Sequence, residues 1–517
     1  MIENILRKID GKGYKAYKSL KGIAWEVNGI EFKVLKVQGD PFAPPSVVLA
    51  KVKLPVLEPI PTADFYHRQL FKALKRFSSK AGEGKGGLLA VPKPSNAILR
   101  RSASKVLGGK VHFKIWVGLP SRRRKILADE ALELLTKRLP RAISSLSPKG
   151  LEEHARVWRT QQEIRSKLPE LGLVSFIMNG SVLPRRCGSC DEPLEGAIPF
   201  ESPPSLKVEV ETSSGTYEGM GIRKGVTSIT GPAFQGKTTL AEAIAWGVWD
   251  HVPGDGREGI VTIRNAMYVK SEDGRSTCCV DISTFIKLPN SECFTTEDAS
   301  GATSAASSFQ EAVEGGAELL IVDEDYTASN FLFFDDRLET LYDEKTVETL
   351  SEKLSSIKEK GLSVVIVAGS SAPILKASDT IIYMKKYKPI DKSAFKDKIE
   401  VKLENKEYEF PRERVLMYKA PERVKVRGPW LESKAWKGPV KLDSNLHLVE
   451  EGQLEFIAKL MERDFKGKAK DVKVPDPWDA CLSPSCSEVR PLDLLFALNR
   501  APLRCEETWP VRKGEDP

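Results

Sequence analysis

Nine residues, Gly231 to Thr239, have the types and spacing that bind a nucleoside triphosphate. Their sequence, GPAFQGKTT, fits the pattern G-x-x-x-x-G-K-[ST], in which a glycine-bounded loop turns backbone N–H groups towards phosphate oxygens. Lys237 can reach the β- and γ-phosphates, and the hydroxyl of Thr238 can bind Mg²⁺. We therefore expect a site for ATP and Mg²⁺ formed by Gly231, Pro232, Ala233, Phe234, Gln235, Gly236, Lys237, Thr238 and Thr239.

The flanking residues predict the elements that such a loop requires. Gly225 to Thr230 form a short apolar and β-branched run that is typical of a buried strand. Leu240 to Asp250 place apolar residues at helical spacing. A strand, a loop and a helix in this order bring phosphate to the positive end of the helix.

Two acidic residues follow a second predicted strand. Leu319 to Val322 are consecutive apolar residues, and Asp323 and Glu324 come directly after them. A carboxylate at the carboxyl end of a parallel strand can hold Mg²⁺, and Asp323 has that position. Glu324 can orient and polarise an attacking water. The pattern predicts hydrolysis of the bound triphosphate.

Charge is divided unevenly along the 517 residues. Residues 1–200 contain 36 Lys and Arg against 18 Asp and Glu, whereas the rest of the chain contains 43 against 53. A basic front suggests an anionic partner, and RNA or DNA is the natural one because phosphate neutralisation drives its binding. Four cations in one predicted loop can grip phosphates or form a solvated charge run; they are Arg122, Arg123, Arg124 and Lys125.

Composition excludes several classes of protein. No apolar run approaches the roughly 20 residues that cross a membrane, and the first residues lack the apolar segment of a signal peptide. We therefore expect a cytoplasmic protein. The eight cysteines are spread thinly, so we expect no disulfide framework. Cys187 and Cys190 form a single C-x-x-C, which does not favour a structural zinc because such a site normally needs four ligands. The alternative is a redox pair, although no thioredoxin-like context supports it.

Turn and charge patterns predict further local structure. Asn28-Gly29 is a hairpin signal, and Asp273-Gly274 predicts a second hairpin. Residues 387–410 are highly charged and predict an exposed extension. Trp430 and Trp436, on a basic segment with strand-like alternation, can stack on bases or pack between domains.

A serine- and glycine-rich segment lies between the two predicted strands. A helix tip with exposed serine and glycine N–H groups is an anion site. The sequence SGATS, Ser300 to Ser304, resembles the signature segment of ABC ATPases, and TASN, Thr327 to Asn330, resembles their D-loop. In that class the signature segment binds the γ-phosphate of nucleotide held by the opposite subunit. The resemblance implies a homodimer in which Ser300, Gly301 and Ser304 contact ATP.

The likeness extends over nearly the whole chain. GMGIRKGVT, HVPGDGRE, EDGRS, TEDASGATSAA, LLIVDEDYTASNF and FALNR all resemble the family of predicted ATPases of the ABC class. The resemblance implies a central ABC-type α/β P-loop domain at residues 200–390. It implies a basic α+β region at 1–199 and a mixed α+β region at 391–517 on either side. It also implies that the protein has no membrane partner.

The chain departs from common ABC ATPases at three places. No histidine stands in the switch strand, where Ser370 is the candidate substitute. Asp281 is the candidate for the Gln-loop, and a serine hydroxyl replaces the glutamine amide in the signature. The adenine platform is expected to be Phe200 or Tyr217, although either residue can be ordinary packing.

Two functions fit these patterns. The first is an ATP-gated dimer that hydrolyses ATP and acts on RNA or DNA through its basic front. The second is a nucleotide-dependent assembly or scaffold protein with little turnover and a protein partner. A phosphate-loop kinase fits less well, because it has no use for the SGATS and TASN segments.

Overall fold

The computed structural model describes residues 2–188, 190–335, 345–369 and 371–503. Its described residues form two compact units. The first contains the chain up to residue 158 together with 450–456 and 475–488, and the second contains the remainder. The later part of the chain therefore contributes to both units. The two boundaries between the three domains that the sequence suggested stay predictions.

The described chain contains both helices and strands, and several strands follow one another without a helix between them. The helices are α1 (Ile2–Ile9), α2 (Pro59–Phe77), α3 (Ala128–Glu133), α4 (Leu139–Ser144), α5 (Leu151–Lys167), α6 (Lys237–Trp246), α7 (Gly301–Glu314), α8 (Ser329–Leu332), α9 (Leu350–Glu359), α10 (Ala372–Ala377), α11 (Glu451–Leu460), α12 (Pro477–Ala480) and α13 (Pro491–Arg500). None of these described helices is long and apolar enough to cross a membrane.

The strands of the described chain have the following bounds. They are β1 (Ala24–Val27), β2 (Ile30–Lys36), β3 (Ser46–Val52), β4 (Leu89–Ala90), β5 (Ala97–Ile98), β6 (Ser104–Leu107), β7 (Lys110–Val117), β8 (Ser121–Arg122), β9 (Lys125–Ile126), β10 (Leu173–Met178), β11 (Lys207–Thr212), β12 (Gly215–Arg223), β13 (Val226–Thr230), β14 (Asp250–His251), β15 (Ile260–Thr262), β16 (Ala266–Val269), β17 (Arg275–Val280), β18 (Phe294–Ala299), β19 (Leu319–Asp323), β20 (Ser363–Val367), β21 (Thr380–Lys385), β22 (Lys388–Asp391), β23 (Val415–Tyr418), β24 (Lys425–Arg427), β25 (Trp430–Glu432), β26 (Val440–Lys441) and β27 (Phe465–Lys468).

An antiparallel sheet organises the first unit. Its order is β1-β2-β3-β7-β4, and β6 also pairs with β7. The predicted hairpin at Asn28-Gly29 is confirmed, since both residues have positive φ angles, 54° and 74°, between β1 and β2. The core includes Tyr66, Leu70 and Leu74 of α2, which are buried at helical spacing. Burying each such side chain contributes about 1.5–3 kcal/mol, so packing of α2 holds this unit together.

Buried charges also hold the first unit together. Asp64 of α2 accepts hydrogen bonds from Arg68 (2.7 Å), His154 (2.8 Å) and Arg101. Arg101 in turn donates to both carboxylate oxygens of Glu450, at 2.9 and 2.8 Å. Burial alone would raise the pKa of Asp64, but the two guanidinium groups hold that pKa well below its usual range. Removal of one partner would therefore leave an uncompensated buried charge.

A mostly parallel sheet organises the second unit. Its order is β16-β19-β20-β13-β21-β22, and only β22 runs antiparallel to its neighbour. The predicted buried strand at Leu319 to Val322 is confirmed as β19, which is buried over its full length. Because the strands are parallel, β16, β19, β20 and β13 end at the same edge of the sheet. In open parallel sheets this edge is where ligands bind.

The hairpin predicted at Asp273-Gly274 is wrong. The strand before it, β16, pairs in parallel with β19, and the strand after it, β17, pairs with β18. All four residues of β16 are buried, which suits a parallel strand that is covered on both faces better than half of an exposed hairpin.

Residues 387–410 are not wholly an exposed extension. Tyr408 is completely buried, and its hydroxyl donates to Oε1 of Gln310 at 2.7 Å. Its ring packs with Phe285 and Phe309, at centroid distances of 5.9 and 6.0 Å. The sequence did not predict the burial of Tyr408, because most of the residues around it are charged.

Six cysteines form three disulfides, so the expectation of none was wrong. The pairs are Cys187–Cys190, Cys279–Cys293 and Cys481–Cys486. Each pair is close in sequence, at separations of 3, 14 and 5 residues, so the bonds close only local loops. Cys278 is buried and belongs to none of these three pairs.

Candidate nucleotide-binding site

The phosphate loop connects β13 to α6 with the geometry that the motif predicts. Gly231 and Gly236 have φ angles of +134° and +89°, a region that favours glycine. A Cβ atom on Gly231 would lie 2.5 Å from the carbonyl oxygen of Met384, so the loop requires glycine there for close packing. Phe234 also has positive φ and is 92% exposed at the loop tip.

Lys237 lies across the loop. Its ammonium group donates hydrogen bonds to the carbonyl oxygens of Gly231 (2.8 Å) and Pro232 (2.9 Å). Gly236 stands at the N-cap of α6 without a side-chain cap, so the first N–H groups of this ten-residue helix point towards the loop. The positive helix end and the ammonium group together give this loop the charge and the donors that suit an anion.

Asp323 and Thr238 fit a Mg²⁺ ion. The Asp323 side chain is buried, and its Oδ1 accepts the Asp325 N–H at 3.0 Å. Its Oδ2 makes no hydrogen bond of normal geometry with any described residue. Burial raises the pKa of Asp323, and the nearby Thr238 and Tyr268 hydroxyls lower it by less. A buried carboxylate oxygen without a full hydrogen bond beside a threonine hydroxyl is the donor set that a hard cation needs.

Glu324 reaches from the end of β19 towards the segment after β20. Its Oε2 accepts the Gly369 N–H at 2.6 Å. This contact fixes the carboxylate at the shared edge of the sheet. Ser370, the candidate substitute for the switch histidine, lies outside the described residues, whereas the next residue, Ser371, is buried and caps α10 by accepting the Ile374 N–H.

The SGATS segment forms the N-terminal tip of α7. Ser300 is exposed at the N-cap position and makes no side-chain cap bond, and Gly301 has a φ of +48°. Ser304 differs, because it is buried: its hydroxyl accepts the Glu272 N–H (2.8 Å) and donates to the Gly301 carbonyl (3.1 Å). Ser304 therefore supports the tip from behind, and a direct nucleotide contact is not available to it in this geometry.

One serine joins the α7 tip to the TASN segment. The Ser271 hydroxyl donates to the Gly301 carbonyl at 3.2 Å and accepts the Ala328 N–H at 2.8 Å. The backbone N–H of Ser271 also donates to the Tyr326 carbonyl at 3.0 Å. Sequence reasoning missed this residue, because its role depends on two segments that lie far along the chain.

The Gln-loop position is not at Asp281. Both oxygens of that carboxylate are used locally: Oδ1 accepts from the Ser283 N–H and hydroxyl at 3.1 and 2.6 Å, and Oδ2 accepts the Arg412 N–H at 3.2 Å. The strand beside β19 is β16, whose last residue, Val269, pairs with Val322. The next residue, Lys270, therefore stands opposite Asp323. The sequence did not predict the parallel register of β16 with β19, because the residues of β16 were assigned to a hairpin.

Neither predicted adenine platform is free to stack. Phe200 is buried, and Tyr217 packs against the apolar cluster of the β10–β12 sheet. The aromatic residue beside the phosphate loop is Tyr387, which is 56% exposed in the turn between β21 and β22. One of its ring carbons lies 3.4 Å from where a Cβ atom on Gly236 would be. The adjacent Lys386 N–H donates to the Gln235 side chain at 2.5 Å and ties this turn to the loop.

The four clustered cations lie in the first unit. They form the β8–β9 hairpin, in which Arg123 and Arg124 have φ angles of 49° and 60°. All four side chains are exposed, and Arg124 pairs with Asp40 at 3.4 Å. The hairpin presents positive charge to solvent, because Arg122, Arg123 and Lys125 form no ion pair with any described residue.

Two family models together match residues 1–421. The P-loop domain model matches residues 147–421, and the model described as the N-terminal domain of ATPases of the ABC class matches residues 1–147. With the parallel sheet and loop described above, the chain therefore belongs to the ABC-class ATPases.

Individual relatives are of two kinds. The uncharacterized protein MJ1628 of Methanocaldococcus jannaschii is 32% identical over 310 residues, which cover 56% of this chain and 68% of that protein. Among solved structures, cbiO1 of Clostridium perfringens is part of the ABC transporter complex cbiONQ. It is 17% identical to this chain with a TM-score of 0.25, and the similar region covers 38% of this chain and 90% of the cbiO1 chain. The ADP conformation of MJ1267, an ATP-binding cassette of an ABC transporter, is 12% identical with a TM-score of 0.25. The similar region covers 37% of this chain and 91% of the MJ1267 chain. These scores are too low to add to the argument.

Proposed function

We propose that the protein binds ATP with Mg²⁺ and hydrolyses it between two copies of the chain. The observation that carries this proposal is that Lys237, Thr238, Asp323 and Glu324 all lie at one edge of the parallel sheet. Each of these side chains has the chemistry for one part of phosphoryl transfer to water.

The phosphate loop holds the triphosphate. Its N–H groups bind β-phosphate oxygens, and the Lys237 ammonium exchanges the carbonyl oxygens of Gly231 and Pro232 for phosphate oxygens. Thr238 and Asp323 would hold Mg²⁺, which when bound neutralises charge on the β- and γ-phosphates. Tyr387, beside the loop, is the described aromatic residue best placed to contact the base.

Glu324 acts on the attacking water. Its contact with the Gly369 N–H leaves the second carboxylate oxygen, Oε1, to accept a hydrogen bond from water. The water oxygen forms a bond to the γ-phosphorus as the bond to the β-phosphate oxygen breaks. ADP leaves with that electron pair, and the water proton passes to Glu324 and then to solvent.

The exposed tip of α7 is proposed to complete the site of a second copy. The Ser300 side chain makes no cap bond, and the tip belongs to a 14-residue helix whose dipole favours an anion. ATP between two such surfaces would close the dimer, and hydrolysis would open it.

Turnover by Glu324→Gln tests the enzymatic proposal. We expect the kcat to fall about 10²-fold or more, as for loss of a general base, and the variant to accumulate as a dimer with ATP in size-exclusion chromatography. Asp325→Asn, which changes the exposed neighbouring carboxylate, is the matched control and should keep wild-type turnover. Equal turnover in Glu324→Gln and wild type would refute hydrolysis at this site and would favour the nucleotide-dependent scaffold.

We further propose that the basic first unit binds RNA or DNA through the β8–β9 hairpin. The support is the charge imbalance of residues 1–200 and the exposed side chains of that hairpin. Replacement of Arg122, Arg123, Arg124 and Lys125 by Gln should weaken binding of an oligonucleotide. It should also flatten the log–log dependence on salt by about 0.7–0.9 for each lost phosphate contact.

Lys15, Lys18 and Lys21 provide the control for that experiment. These exposed lysines lie in the same unit but outside the hairpin, so their replacement by Gln should change the slope less. A wild-type protein that binds neither RNA nor DNA, or binds with a slope near zero, would overturn the nucleic-acid proposal and leave the ATPase proposal intact.

A further inference from the structure

Lys270 occupies a place at the catalytic edge that none of the motifs assigns. It follows β16 directly, and β16 is the neighbour of β19 on the side away from the phosphate-loop strand. The pairing of Val269 with Val322 puts Lys270 level with Asp323. The Lys270 side chain therefore lies at the same edge of the sheet as Asp323, where the γ-phosphate of ATP would lie.

The ammonium group of Lys270 has no anionic partner in direct contact. It lies 4.5 Å from the ring centroid of Tyr326 and 5.4 Å from that of Tyr268. It makes no ion pair or hydrogen bond with any residue that the structure describes. A half-buried lysine is normally paired, because burial without a partner disfavours its charged form. Burial does lower the pKa of Lys270.

The surrounding carboxylates do not account for this lysine. Four of them raise the pKa of Lys270 through their charge alone, which partly offsets the effect of burial: Glu242, Asp323, Asp443 and Glu272. If Lys270 served to neutralise Glu242, the two groups should form an ion pair, and none is present among the described residues. Burial instead raises the pKa of Glu242. The Lys270 ammonium group therefore lies beside two aromatic rings and forms no ion pair with a described carboxylate.

We propose that Lys270 is a second phosphate-binding lysine, which contacts the γ-phosphate of ATP bound in the same subunit. This inference rests on the proposed function. Lys237 reaches the triphosphate from the loop side of the sheet edge, whereas Lys270 reaches it from the far side of Asp323. In the transition state negative charge spreads over the γ-phosphate oxygens, and a fixed cation there stabilises it. Lys270 thus supplies charge where common ABC ATPases have a neutral glutamine.

Nucleotide affinity distinguishes this role from a structural one. Lys270→Met should weaken ATP binding about 10-fold while leaving ADP binding within about 2-fold, because only ATP has the γ-phosphate. The kcat should fall about 10²-fold, the size of effect seen when one transition-state donor is removed. Fluorescent ATP and ADP analogues measure the affinities, and phosphate release measures turnover.

Two further variants make the experiment decisive. Lys270 and Lys441 both line a cavity of about 340 Å³, and Lys441→Met is the matched control. Lys441 is exposed, so its variant should bind and turn over ATP as the wild type does. Lys270→Arg keeps the charge and should recover most of the discrimination between ATP and ADP. If Lys270→Met does not fold, Lys270→Ala takes its place with the same expected loss.

Each outcome has one meaning. Equal weakening of ATP and ADP, or no change in either, overturns the role of Lys270 while wild-type hydrolysis keeps the proposed function. If wild-type protein binds no ATP, and Lys237→Ala behaves identically, the proposed function itself fails. Loss of ATP discrimination in Lys270→Met, with recovery in Lys270→Arg, supports the inference.

Discussion

The ion pair between Glu272 and Arg500 allows a quantitative prediction of acid sensitivity. Arg500, the last residue of α13, donates to both carboxylate oxygens of Glu272, with Nε at 3.1 and 2.9 Å. The Arg500 side chain is buried, and the Glu272 side chain is only 12% exposed. Burial would raise the pKa of Glu272, but the guanidinium of Arg500 outweighs it, so the pKa falls from 4.5 to about 2. The guanidinium stays protonated at every pH considered, so the carboxylate carries the pH dependence.

The magnitude follows from the difference between the folded and unfolded pKa values. A carboxyl group with a depressed folded pKa stabilises the fold above its unfolded pKa, and this contribution is lost as pH falls through the folded pKa. A difference of about 2.5 pKa units corresponds to roughly 3.4 kcal/mol at pH 7, which falls to about 2 kcal/mol at pH 3.5. Neutralisation of Glu272 should therefore cost more at pH 7 than at pH 3.5.

Glu272→Gln tests this reasoning. We expect its free energy of unfolding to lie about 3 kcal/mol below the wild type at pH 7 and about 2 kcal/mol below at pH 3.5. Urea titration followed by hydrogen exchange of peptides from α7 and α13 measures the second unit separately. Glu297→Gln is the control, since the exposed pair of Glu297 with Lys437 should contribute no more than about 1 kcal/mol. A difference between wild type and Glu272→Gln that is the same at both pH values would refute the assignment.

Three other substitutions have clear expected outcomes. Gly231→Ala would put a Cβ atom 2.5 Å from the Met384 carbonyl oxygen at a φ of +134°, so it should cost about 1–3 kcal/mol of stability and weaken ATP binding, as urea unfolding and nucleotide titration would show. Ser371→Ala removes the cap of α10 and should lower the free energy of unfolding by about 1 kcal/mol. Trp249→Phe removes the donor to the buried His447 carbonyl (2.8 Å) and should cost about 1–3 kcal/mol in the same unfolding assay, whereas no loss would mean that this hydrogen bond is not needed.

Local patterns predicted the phosphate loop and the two acidic residues. Gly231 to Thr239 carry a strand, a turn and a helix start within one continuous stretch, and the buried strand before Asp323 is a plain apolar run. Such signals depend on neighbouring residues only, so sequence alone is enough to place them.

Residues whose roles depend on pairing between distant segments escaped prediction. Lys270 gains its position from the parallel register of β16 with β19, and the apolar residues of β16 fit a hairpin equally well in the sequence. Ser304 has the same type and motif position as a ligand-binding serine, yet the Glu272 N–H occupies its hydroxyl. Arg101 and Glu450, 349 residues apart, form a buried pair that no spacing rule could indicate.

The Ser271 hydroxyl has a mechanical consequence for the proposed dimer. Because one oxygen atom holds both the Gly301 carbonyl and the Ala328 N–H, the α7 tip and the TASN segment cannot shift independently without breaking a hydrogen bond. The α7 tip and the TASN segment, which a second copy would contact, are thereby held in one fixed arrangement. Contact of the second copy with either segment should also position the other, so a half-closed nucleotide site would be disfavoured and the dimer would close in a single concerted step.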